Sequence, residues 1–201
     1  MDKPTRQLAR GVAPPQRIEL DDLVVRRWQA TDIAAQLAAL TESFDHLHAW
    51  MPWMAEAPSL DRQRAFLADV TANWPTSSGE FAYGIFDAEG GLLGAIGLRG
   101  PVGPATLEIG YWCHVAHSGR GVITRAAAAL TEIALALPGI RRVEIRCDAR
   151  NSRRAAVARR LGYRLERVEP REPQAPADSG SVMVWARDAD VRADRQDGRA
   201  G

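Results

Sequence analysis

Hydrophobic and polar positions along the chain divide it into short alternating runs and longer stripes at helical spacing. The run from Ile18 to Arg27, centred on Leu23-Val24-Val25, predicts a first strand. Thr31-Asp32 then starts a helix that carries Ile33, Leu37 and Leu40 on one stripe, and Ser59 caps a second helix bearing Phe66, Leu67 and Val70. His46 to Met54 reads as an aromatic linker between them. Phe81 to Phe86 and Leu92 to Leu98 flank Asp87-Ala88-Glu89-Gly90-Gly91, a hairpin signal, and Thr106 to Cys113 is another strand. From Gly121 to Leu137 the positions Ile123, Ala126, Ala127, Leu130, Ile133, Ala134 and Leu137 form one apolar stripe. Val143, Ile145 and Cys147 alternate with charged residues, and Ser152 to Leu161 is helical up to Gly162, a residue suited to ending a helix. Tyr163 to Val168 and Ser181 to Ala186 close the pattern as a hairpin with a long, proline-rich loop. The order β-α-α-β-β-β-α-β-α-β-β joins antiparallel hairpins to one parallel crossover, which predicts an α/β or α+β domain with a mixed sheet.

This pattern occupies residues 18–187 as a single domain without internal repeats. Residues 1–17 are polar, with Pro14-Pro15, and read as a flexible lead-in; residues 188–201 alternate charges without an apolar face and read as a disordered tail. With 46% hydrophobic and 25% charged residues in 201, the composition is that of a globular protein with a real core. It excludes a disordered chain, a collagen-like fibre and a disulfide-stapled miniprotein. The net charge of +1 gives no global field toward nucleic acid or an anionic membrane. Lys3 is the only lysine, so 25 of the 26 basic residues are arginine, whose planar fork suits phosphate and carboxylate. Two cysteines, Cys113 and Cys147, point to a reducing compartment, and no apolar leader or bilayer-length segment is present, so a cytoplasmic location is expected. His46, His48, His114 and His117 are too scattered to predict a metal site.

The strongest chemical signal lies where the strand ending at Cys113 gives way to the helix beginning at Gly121. Two glycines, Gly119 and Gly121, flank Arg120 at a helix start, where amides without intrahelical partners sit at the positive end of the helix dipole. Such an arrangement binds phosphate or serves as a tight turn. It is neither a Walker loop, since no Gly-Lys-Ser/Thr follows, nor a dinucleotide fingerprint, since Arg125 stands where the third glycine belongs.

Ser118-Gly119-Arg120-Gly121-Val122-Ile123 resembles the Gln/Arg-x-x-Gly-x-Gly/Ala motif of the GNAT N-acyltransferase superfamily. Asn151-Ser152-Arg153-Arg154-Ala155-Ala156-Val157 through Leu161-Gly162-Tyr163 is similar to the same family's Asn-x-x-Ser-x-x-Val-x-x-x-Leu-Gly-Phe helix. Glu108-Ile109-Gly110-Tyr111-Trp112 and His46-Leu47-x-x-Trp50-Met51-Pro52-Trp53 further resemble the branch of ribosomal-protein N-terminal acetyltransferases. The resemblance covers about residues 18–187 and implies a mostly antiparallel mixed sheet of about seven strands flanked by about four helices. It also implies acetyl-CoA as cosubstrate, no metal, and direct attack of a primary amine on the thioester. Backbone amides over Ser118, Gly119, Arg120, Gly121, Val122, Ile123 and Thr124 would hold the pyrophosphate. The pantetheine arm would pair near Trp112, Cys113 and His114, with Asn151 on that arm and Arg153 and Arg154 near the adenosine 3′-phosphate. The branch suggests a protein or peptide N-terminus as acceptor and allows a homodimer. A small-molecule amine, another acyl group such as succinyl, or a non-catalytic acyl-CoA-binding module are the alternatives.

Glu108 shares a strand face with Gly110 and Trp112, opposite Leu107, Ile109 and Tyr111. It reads either as the base that takes the ammonium proton through water or as the partner of a neighbouring arginine. Two positions depart from the family: Ile123 replaces Gly/Ala, and the usual hydroxyls on the last helix are Arg154 and Ala158. The thiolate then takes its proton from solvent, from Tyr111 or from another hydroxyl. Trp50 and Trp53 either wall the acceptor site or pack in the core, and the loop from Pro170 to Gly180 forms the other wall or a plain surface connection.

Overall fold

A computed structural model describes residues 12–72, 74 and 80–189. Among them eight strands form one sheet in the spatial order β1-β2-β3-β4-β5-β6-β8-β7. They are β1 (Arg17–Leu20), β2 (Leu23–Arg27), β3 (Phe81–Asp87), β4 (Leu92–Gly103), β5 (Thr106–Cys113), β6 (Arg142–Asp148), β7 (Arg164–Pro170) and β8 (Ser181–Asp188). The helices are α1 (Ile33–Glu42), α2 (Phe44–His48), α3 (Leu60–Ala72), α4 (Val122–Ala136) and α5 (Ser152–Arg160). The fold class agrees with the sequence, but the described residues hold eight strands rather than seven and five helices rather than four. The expected first strand breaks at Asp21, whose φ of 44° is a left-handed conformation that aspartate tolerates, so Leu20 pairs back onto Leu23 in a hairpin. The extra helix is α2, one turn that begins at Phe44 and takes in the start of the expected aromatic linker. Most of the expected lead-in and tail lie outside the described residues.

Every strand pair is antiparallel except β5 with β6, which α4 joins as a crossover. The apolar stripe of α4 (Val122, Ile123, Ala126, Ala127, Leu130 and Ala134) is buried with Leu107, Ile109, Val143, Ile145 and Cys147 in the main core. Ala155 and Ala158 of α5 join the same cluster. Alanines at these helical positions let backbones approach the sheet closely, so α4 and α5 are fixed tightly against it. Thr131, buried among them, donates to the Ala127 carbonyl at 2.6 Å and sits 2.7 Å from the Tyr163 hydroxyl, which satisfies both polar groups. On the opposite face Trp28, Ala39, Leu67, Phe86, Leu92 and Ala95 form a second cluster and Leu40, Leu47 and Met54 a third; Trp112 packs against both.

Candidate active site

The turn into α4 is built by its glycines. Gly119 and Gly121 have φ of 79° and 77°, and no atom lies within 4 Å of where a Cβ would stand on either. Left-handed backbone at both positions costs glycine little and any other residue about 1–2 kcal/mol. No side chain caps α4, and its first backward bond is Arg125 N–H to Gly121 O at 3.0 Å. The amides of Val122, Ile123 and Thr124 therefore have no partner within the helix and point out from its positive end. The preceding turn is tethered from below: the His114 ring nitrogen Nε2 lies 3.0 Å from Glu42 Oε2, and Val115 N–H donates to Ser43 Oγ at 3.0 Å.

Beside this turn the sheet opens. Thr106, Leu107 and Glu108 of β5 pair with Arg142, Val143 and Glu144 of β6, and the pairing stops there. From Ile109 to Cys113 on one strand and from Ile145 to Asp148 on the other, the edges facing each other carry backbone groups with no ladder between them. The resulting cleft encloses about 1010 Å³ and runs to the start of α4. It is lined by Tyr111, Trp112, Cys113, Ser118, Gly119, Gly121, Val122, Ile123, Thr124, Asn151, Arg153, Arg154 and Trp50. The structure thus brings most of the sequence-expected site residues to one cleft. Four do not line it. His114 is buried against Glu42, Arg120 is exposed outside, Trp53 is 42% exposed on the linker, and Glu108 sits at the last paired rung.

The α5 wall differs from expectation. Asn151 caps the helix, accepting from Arg154 N–H at 3.0 Å, so its carbonyl oxygen is engaged in structure. Arg154 does not reach outward toward a distal phosphate, as the resemblance implies. Its guanidinium instead lies 4.3 Å from the Tyr111 ring centroid, donates to the Tyr111 carbonyl at 3.2 Å and approaches Met51 Sδ at 4.0 Å. The stem folds back onto the sheet because the ring face and an unpaired strand carbonyl both attract the cation. Burial pushes the Tyr111 phenol up to about 12, so it holds its proton through neutral pH; its hydroxyl reaches the Arg154 carbonyl at 3.4 Å.

Glu108 lies on the Trp112 face of β5, its side chain 18% exposed, with Arg146 Nε 3.9 Å from its carboxylate. Arg146 is held mainly by the buried Glu144 at 2.7 Å. The loop between β7 and β8 is folded on itself by Asp178, which accepts from Arg171, Gln174 N–H and Ala175 N–H. Asp148 anchors the same loop through Ser179 N–H at 2.8 Å and Ser179 Oγ at 3.0 Å. From this loop Ala177 N–H donates to the Ala49 carbonyl at 2.9 Å, forming a strap to the α2 side.

The family model described as "Acetyltransferase (GNAT) domain" matches residues 22–164. The chain belongs to the GNAT acetyltransferase family. Among solved structures it is similar to RimL, a ribosomal L7/L12 alpha-N-protein acetyltransferase in complex with coenzyme A, at 22% identity and a TM-score of 0.78 over 87% of this chain and 98% of that one. It is similar at 18% identity and TM-score 0.78 to the microcin C7 self immunity acetyltransferase MccE in complex with acetyl-CoA and AMP, over 87% and 97% of the two chains. The ribosomal-protein-S5-alanine acetyltransferase from Vibrio fischeri gives 15% identity and TM-score 0.74 over 87% and 97%. A search of the curated proteins finds no match.

The cleft of this GNAT domain fits a coenzyme A thioester on its own geometry. The open space above two left-handed glycines is suited to a pyrophosphate, and the unladdered strand edges to an extended amide-bearing arm. Arg125, Arg150, Arg153 and Arg160 line the same cleft and supply positive charge. Among the described residues no group of three or more His, Cys, Asp or Glu side chains could hold a metal ion, and no helix is long and apolar enough to cross a membrane. Sequence reasoning missed Met51, Arg125, Arg150 and Arg160 as lining residues and set His46 aside. Burial, and then the charge of Arg153, hold the His46 imidazole below its ordinary value, which favours its neutral form within the cleft. Arginine spacing on one helix face was the available signal for Arg150, Arg153 and Arg160. Met51 lies in the His46–Trp53 segment that carries the branch resemblance, but a methionine beside two tryptophans gives no sign of its own that it lines a cleft.

Proposed function

We propose that this GNAT domain acetylates the α-amine of a protein or peptide N-terminus by direct attack on the thioester. The observation that carries the reading is the parting of β5 and β6 after Glu108, in a cleft that ends on the uncapped, glycine-rich start of α4. Acetyl-CoA supplies an activated acyl carbon to that cleft. The chain's own groups do the rest. Amides of Val122, Ile123 and Thr124 neutralise the diphosphate. Edge amides of β5 orient the arm and the thioester carbonyl. The acceptor nitrogen forms the C–N bond as the C–S bond breaks; its proton passes through water to Glu108, and Tyr111, still protonated, donates to the departing sulfur.

The acceptor class is supported by the Ala177–Ala49 strap, a backbone bond that ties the β7–β8 loop to the residue before Trp50 of the cleft wall. A free chain end passes such a bridge more readily than a lysine on a folded loop. Trp50 lines the cleft at that end and offers a flat apolar wall to a first residue. Isothermal titration with CoA and acetyl-CoA, followed by transfer assays on peptides with a free or a blocked N-terminus, tests the reading. Submicromolar to micromolar binding and acetylation of free N-termini alone is expected. Binding of neither CoA nor acetyl-CoA would overturn the site, and equal acetylation of internal lysines would overturn the acceptor class.

A further inference from the structure

Arg154 carries an observation that acetyl transfer leaves unused. Its guanidinium sits on the Tyr111 ring inside the cleft, yet its Nε is buried with no hydrogen-bond partner. Among the described residues no carboxylate stands within ion-pair distance of it. Other partly buried arginines are better satisfied: Arg26 is paired with Asp32 at 2.8 Å, Arg146 with Glu144 at 2.7 Å and Arg171 with Asp178 at 3.0 Å, while Arg27, also without a carboxylate, donates to the Thr71 carbonyl at 2.7 Å and to Gln16 Oε1 at 3.3 Å. A ring face compensates a desolvated cation only in part, and a buried N–H left unpaired is costly. The Tyr111 carbonyl that Nη1 now uses lies on the unladdered edge of β5, where an extended ligand arm pairs. A bound arm therefore takes this acceptor away and leaves the fork with two unmet edges.

The group that matches a guanidinium presenting Nε–H and Nη–H side by side is a planar carboxylate. Phosphate does not account for it, because the contacts of Arg154 are Tyr111 and Met51, on the strand interior and the acceptor-side linker, rather than the Gly119–Thr124 turn. We propose that Arg154 is the receptor for a substrate carboxylate brought to the acyl end of the cleft. The carboxylate arrives by one of two routes with the same chemistry: on the acceptor, next to its amine, or at the far end of a dicarboxylic acyl chain carried in place of acetyl. The inference rests on the acyl-CoA reading of the cleft alone: the acceptor route puts a free amino acid in place of a peptide N-terminus, and the donor route puts a dicarboxylic acyl group in place of acetyl.

Isothermal titration separates the routes. Wild type and Arg154→Met are titrated with CoA, acetyl-CoA and succinyl-CoA, and then, saturated with CoA, with N-acetylglycine and N-acetylglycinamide. Wild type should bind succinyl-CoA at least tenfold tighter than acetyl-CoA (the donor route), or N-acetylglycine at least tenfold tighter than its amide (the acceptor route). That preference should fall below twofold in Arg154→Met, read as a ratio within each protein so that any gain in CoA affinity from freeing the Tyr111 carbonyl cancels. Arg154→Lys, which keeps the charge and loses the fork, should retain less than half of the preference and serves if the methionine variant does not fold. No preference in wild type overturns the proposal without any variant. A preference that survives in Arg154→Met, or a tenfold loss of CoA affinity there, overturns it too, the latter by assigning the arginine to the cofactor. A wild type that binds no CoA at all instead removes the cleft reading on which the proposal stands.

Discussion

Replacing Gly121 with alanine separates the backbone demand of the α4 turn from its binding role. Gly121 has φ of 77° with open space where the new Cβ would stand, so the variant meets no clash and only the left-handed penalty of about 1–2 kcal/mol applies. For a domain of this size each kcal/mol shifts the melting temperature by about 2–4 °C. Gly139 provides a matched control: its φ is 81°, its Cβ position is equally open, and it lies past the far end of α4. The helix's length puts it about 22 Å from the cleft. Gly139→Ala should therefore lose the same stability. Only Gly121→Ala should also lose CoA affinity, because an alanine that relaxes out of the left-handed region drags the Val122 and Ile123 amides with it. A charge-assisted hydrogen bond is worth about 1.5–3 kcal/mol, so losing one weakens binding about 10- to 100-fold. Thermal unfolding and isothermal titration of both variants check this. CoA affinity within twofold of wild type in Gly121→Ala, at the expected loss of stability, would refute the phosphate-binding role of the turn.

Glu108→Gln should lower kcat about 100-fold or more with CoA affinity unchanged, as expected for a proton acceptor; unchanged turnover with a lower melting temperature would make Glu108 only the partner of Arg146. Burial pushes the Asp148 carboxyl up, but the amides of Arg150 and Ser179, the Ser179 hydroxyl and Arg171 outweigh it and leave it below the ordinary value. Its contribution is complete above the unfolded carboxylate value near 4 and is lost as pH falls through the lower folded value, so Asp148→Asn should cost about 2 kcal/mol at pH 7 and progressively less as pH is lowered below 4, read by urea unfolding. Asp178→Ala removes the acceptor for Arg171, Gln174 N–H and Ala175 N–H. Limited proteolysis between residues 171 and 180 should then accelerate at least tenfold, and peptides with internal lysines should become substrates; unaltered selectivity in a loosened loop would dissociate the strap from acceptor choice.

The elements were legible in the sequence wherever a periodic apolar face had to be buried. β5 and α4 match their sequence patterns nearly residue for residue because Leu107 and Ile109 alternate with polar neighbours and the α4 stripe repeats at helical spacing. The β1–β2 hairpin was not legible in the same way. Its turn is two aspartates inside an apolar run, and only the backbone at Asp21 reveals that the strand reverses. In α2, one turn of helix is too short for periodicity to distinguish it from a linker rich in aromatics.

For the site, backbone-determined features were readable and side-chain directions were not. Glycines at the start of a helix announce an amide-lined turn whatever surrounds them, so the sequence alone suffices to place Gly119 and Gly121. It does not suffice for Arg154, because a long flexible stem ends where its surroundings attract it. Its position one turn into α5 fits a distal phosphate as well as a strand carbonyl, and the Tyr111 ring decides between them. The same residue stands where the family usually has a hydroxyl, so the chain exchanges a neutral donor for a fixed cation beside the proposed reaction centre. That exchange changes which charges the cleft tolerates: it raises the energy of a bare ammonium nearby and lowers that of a carboxylate. Acceptor amines should therefore bind there as the free base, the nucleophilic form, and the cation that makes this so is a reason to expect substrates that bring a negative charge with them.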